Sequence, residues 1–87
     1  MYVSGNVIIG RIFREQDQMV ARAIKIAEKT QLPVELRSYT FDGFGRKRKG
    51  ITFYEAHVLP DGRRVNASDA KEWFLVHNPD LLPDYWQ

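Results

Sequence analysis

Residues 34–59 read Val34-Glu35-Leu36-Arg37-Ser38-Tyr39-Thr40-Phe41-Asp42-Gly43-Phe44-Gly45-Arg46-Lys47-Arg48-Lys49-Gly50-Ile51-Thr52-Phe53-Tyr54-Glu55-Ala56-His57-Val58-Leu59. Two runs rich in β-branched and aromatic residues flank a cationic segment punctuated by glycine, which predicts two strands joined as a hairpin. In the second run Ile51, Phe53 and Leu59 fall on one alternating side, and Tyr54, Ala56 and Val58 on the other. Apolar groups on both sides describe an interior strand. Pro60-Asp61-Gly62 then presets φ, offers an Asx turn and tolerates positive φ, so Arg63 to Val65 is expected to return as a third strand of a meander.

Upstream, Met19, Val20, Ala23, Ile24 and Ala27 repeat at helical spacing, leaving Arg22, Lys25, Glu28 and Lys29 on the opposite side. A helix from Asp17, capped by that residue, is expected to stop before Pro33, which lacks an N–H and pushes Leu32 out of the α region. Residues 7–13 suit a strand by their β-branched content, yet Ile9, Ile12, Phe13, Gln16 and Val20 also fit helical spacing; the strand is preferred. Downstream, Asn66 or Ser68 is placed to cap a closing helix whose Ala70, Trp73, Phe74 and His77 share a face, and Asn78-Pro79 ends it. Residues 80–87, alternating acids with large apolar groups, are expected to form a helical turn and then an extended tail packed on the domain.

The expected architecture is therefore α+β: a small antiparallel three- to four-stranded sheet with two helices packed on one face, in the order (β)αβββα, as a single domain over residues 1–87. The order helix, three strands, helix resembles that of double-stranded RNA-binding domains. The resemblance implies a lysine cluster gripping phosphates at the start of the last helix, whereas Asn66-Ala67-Ser68-Asp69-Ala70-Lys71 offers one lysine and an aspartate.

The 87 residues carry a formal charge of +2 and no cysteine, so disulfides, thiolate nucleophiles and thiolate metal sites are excluded. The longest strictly aliphatic run is Val7-Ile8-Ile9, far below a membrane span, and no charged start followed by an apolar region marks a signal peptide. A cytoplasmic protein with no membrane association is the expectation. Charge is uneven: residues 1–34 hold five cations and three acids, 35–65 seven and four, and 66–87 one and four.

Four adjacent cations cannot be buried without partners, so Arg46, Lys47, Arg48 and Lys49 are expected to be exposed. Read functionally, they contact nucleic-acid phosphates, with Phe44 or Phe41 to stack on an unpaired base and Arg63 and Arg64 extending the patch if both turns point the same way. Read structurally, they keep a sheet edge soluble. The alternative partner is a protein, met through the same segment or through Leu82, Tyr85 and Trp86, types suited to interface anchors; RNA against DNA, and the oligomeric state, stay open.

Catalytic signals are weak. His57 and Glu55 would share a strand side about 7 Å apart, too far for a direct hydrogen bond. His77 shares the face of Trp73 and Phe74, no Gly-x-Ser-x-Gly elbow surrounds Ser4, Ser38 or Ser68, and 43–50 lacks the Walker spacing. A non-enzymatic binding module with no cofactor and no metal is the expectation.

Overall fold

The structure, a computed structural model, describes residues 1–42 and 50–82, with the side chains of 41, 42 and 50–52 left aside. The chain runs β1 (Tyr2–Ser4), β2 (Val7–Arg11), α1 (Ile12–Thr30), β3 (Val34–Asp42), β4 (Gly50–Val58), β5 (Arg64–Val65), α2 (Ala67–His77) and a 3-10 turn (Pro79–Leu81). The five strands lie in sequence order in one mixed sheet. The meander β3-β4-β5 is antiparallel, as expected, but β2 runs parallel to β3 and is itself paired with β1.

Two expectations are thereby corrected. The sheet is neither three- to four-stranded nor wholly antiparallel, because the helix after β2 is long enough to carry the chain back: 19 residues rise about 28 Å, returning β3 to the start of β2. The strand and helix signals of 7–13 were both real, and they meet at Arg11. The helix accordingly starts at Ile12 instead of Asp17, which lies exposed in its second turn. Its N-cap residue, Arg11, supplies no capping side chain; instead Glu15 reaches back, and its Oε2 accepts from the Arg11 N–H at 2.8 Å. At the other end Gln31 takes a left-handed φ of 57° and its N–H bonds the Ala27 carbonyl at 2.8 Å, two residues before Pro33.

The stripe read in the sequence is the side of α1 that enters the core. Met19, Ala23 and Ala27 are fully buried against Ile8, Val34, Leu36 and Val58, with Val20 and Ile24 half-buried beside them. Each large aliphatic group so removed from water stabilises the fold by about 1.5–3 kcal/mol. Gly10 makes this approach possible, since a Cβ there would lie 2.6 Å from Met19 Sδ and 2.8 Å from Glu15 Oε2. Asn6 ties the β1–β2 turn to the other end of α1: its amide donates to Thr30 Oγ1 at 2.9 Å, and its carbonyl accepts from the Glu35 N–H at 2.7 Å.

Strand alternation separates the second helix from the first. Leu36 and Val58 face α1, so the adjacent Glu35 and His57, and Val65 paired with His57, face the other way. There α2 meets β4, and Val65 and Leu59 line a shallow depression with Trp73 and Val76 of that helix. Ala70 and Phe74, the buried residues of α2, stand outside the cluster beneath α1. The two helices thus lie on opposite faces of the sheet rather than on one. Asn66 is the cap, its Oδ1 accepting from the Asp69 N–H at 2.9 Å.

Candidate nucleic-acid interface

Phe44, Arg46, Lys47, Arg48 and Lys49 lie outside the described residues, as do Tyr85 and Trp86. The anchors of the basic segment are described: Asp42 and Gly50 are paired at the last rung of the β3-β4 ladder. Because β2 and β3 are parallel, the C-terminal end of β2 and the first turn of α1 lie at this same end of the sheet. Arg11 and Arg14, both exposed, are thereby brought to the side of the basic segment, where they line a depression with Met1, Glu15, Gln18 and Tyr39.

The carboxylate in that depression is already engaged. Glu15 Oε1 lies 2.8 Å from the Met1 ammonium. This hydrogen bond, and then the one from the Arg11 N–H, hold the Glu15 carboxyl below the usual carboxylate range. Neither arginine side chain is shown paired with it, and the N-terminus of α1 adds its own positive end to the same region.

The backbones of Arg63 and Arg64 stand at the other end of β4, while the Arg64 side chain reaches α1, its Nη2 3.3 Å from the Gln16 side-chain amide. Arg64 is paired with Val58, eight residues along β4 from Gly50, so about 27 Å separates the two ends. Arg63 is also committed locally, its Nε 2.7 Å from Asp61 Oδ2 and its N–H 3.0 Å from Asp61 Oδ1. These bonds lower the Asp61 pKa, the backbone one foremost. The pair Asp42–Gly50 and the turn at Asp61-Gly62 thus lie at opposite ends of β4.

Three residues that sequence reasoning did not single out occupy the end that the basic segment shares. Arg11, Tyr39 and Phe53 are register partners across β2, β3 and β4. They project from the face away from α1, since Gly10, Ser38 and Tyr54 form the row on the α1 side. The Tyr39 and Phe53 rings are 6.2 Å apart and tilted by 56°, and Phe53 is 57% exposed where β4 pairs with β3 alone, β5 reaching only His57 and Val58. The signal available in the sequence was alternation: Tyr39 and Phe53 both fall out of phase with the core positions Leu36 and Val58.

The other end of this face is closed. His57 is buried, and its register partner Glu35 is buried too, with Arg37 Nε 3.0 Å from Glu35 Oε1. Burial pushes the His57 pKa down, opposed by the charges of Glu35 and Glu55. His77 is exposed, stacked on Trp73 at 4.5 Å, with its Nδ1 3.1 Å from the Trp73 carbonyl oxygen. Among the described residues no cluster of His, Asp and Glu is placed to hold a metal ion. No helix of the described residues is long and apolar enough to cross a membrane. Leu82 is half-buried, while Leu75, Val76 and Leu81 expose half or more of their surface.

No protein-family model matches the chain, and no solved structure matches it. A 31-residue stretch is 48% identical to alpha-1,2-mannosyltransferase ALG9 of Mus musculus and, equally, of Homo sapiens. That stretch is 36% of this chain, and the match spans about 5% of the length of those proteins. So short a match transfers neither a fold nor an activity.

Proposed function

We propose that this chain is a small non-enzymatic module that binds nucleic acid, contacting the phosphate backbone through Arg46, Lys47, Arg48 and Lys49. The observation that carries the reading is the convergence of Arg11 and Arg14 with the paired anchors Asp42 and Gly50 at one end of the sheet. Under this reading Arg46, Lys47, Arg48 and Lys49 act together with Arg11 and Arg14, so that a chain of modest overall charge, +2, binds by counterion release.

The test is binding of the full chain to fluorescent single- and double-stranded RNA and DNA at two salt concentrations, beside the R46A/K47A/R48A/K49A variant. Expected is an affinity that falls steeply with salt and is largely lost in the variant, with a shallower salt slope. Absence of binding at low salt, or binding that the variant retains in full, would overturn the reading.

A second reading, a protein-interaction module, is favoured by the exposed Leu75, Val76 and Leu81 beside Leu82. Exposed apolar side chains that precede an aromatic-rich segment in the sequence suit a protein partner. Under that reading Tyr85→Ala and Trp86→Ala abolish a complex with little change in melting temperature, whereas a large loss of stability marks them as part of the core.

A further inference from the structure

We infer that the open end of the sheet face, the row Arg11, Tyr39 and Phe53, is a stacking surface for unpaired bases, so that the nucleic acid this module takes is single-stranded. The inference rests on the reading above and narrows its ligand class. The row runs across three adjacent strands, about 10 Å from first to last at the usual spacing. It offers an exposed guanidinium and two aromatic rings in contact distance of each other.

Phe53 is 57% exposed at a stretch of β4 that pairs with β3 alone, because β5 reaches only His57 and Val58. Tyr2 lies on the same face, paired with Ile9 in the next row and 64% exposed. An aromatic face bordered by cations is complementary to a ligand that is anionic and carries flat apolar faces. Unpaired nucleotides meet both requirements, and a duplex does not, because its base faces are stacked inside. In the neighbouring row Arg37 and Glu55 are register partners of opposite charge, so the positive excess stays at the Arg11 end.

The closing experiment uses the full chain with three probes of equal length: oligothymidylate, an abasic oligonucleotide with the same phosphates, and a duplex. Affinity for oligothymidylate is expected to exceed that for the abasic strand and the duplex by about tenfold or more. Phe53→Ala, at an exposed position, is expected to lower it by about five- to a hundredfold, as loss of one stacked base does. The salt slope should stay as in the parent, and the abasic strand should bind the variant as it binds the parent. Arg11→Gln is the companion variant, since the Arg11 contact to Glu15 is through the backbone N–H. Equal binding of all three probes, with Phe53→Ala neutral and binding lost in the basic-segment variant, would reject the stacking surface while keeping the phosphate contacts. No salt-sensitive binding to any probe would reject both.

Discussion

At Gly10 the absence of a side chain decides how closely helix and sheet approach. A Cβ would fall 2.6 Å from the sulfur of Met19, which is fully buried and has little room to yield. Gly10→Ala is therefore expected to cost about 1–3 kcal/mol through overpacking, read as a lowered denaturant midpoint with an unchanged slope. His57 sets a second residue-scale expectation. Its folded-state pKa is lowered from 6.5 by burial, against the opposing charges of Glu35 and Glu55. The unfolded chain then binds the proton more readily, so stability is full above about pH 6.5 and declines as pH falls toward the lower folded value. Equilibrium unfolding across that range should show the decline in the parent and its absence in His57→Gln; a variant with the parent's slope would assign the decline to other groups.

At the scale of elements, the parts legible in the sequence were those fixed by local chemistry. The stripe Met19, Val20, Ala23, Ile24 and Ala27, the stop before Pro33 and the turn at Asp61-Gly62 each follow from neighbours a few residues apart. The start of α1 was not legible, because its N-cap carries no capping side chain and Glu15 takes over the role from within the helix. The cap of α2 was legible, because Asn66 carries its own acceptor. Asn66→Ala is expected to destabilise the domain by about 0.5–2 kcal/mol, measured by thermal unfolding, and Asn66→Asp to restore most of it. The parallel pairing of β2 with β3 depends on where a 19-residue helix returns the chain, which no local pattern states. The same pairing brings Arg11 beside Tyr39, so this part of the candidate interface became visible only with the register.

On the scale of the whole molecule, the mixed sheet sorts charge and covering. One end gathers Arg11, Arg14 and the anchors of the basic segment, with the first turn of α1. Away from it lie the α2 contact with β4 and the Arg63–Asp61 pair. The helices occupy opposite faces, and on the face away from α1 Tyr2 and Phe53 stay more than half exposed. The central claim is that binding belongs to this end. It is tested most directly by following backbone amide resonances of the isotope-labelled chain during titration with a short oligothymidylate. Shifts are expected at Arg11, Tyr39, Thr40 and Phe53, with Arg63 and α2 unmoved; shifts concentrated on Leu75, Val76 and Leu81, or none at low salt, would contradict that claim.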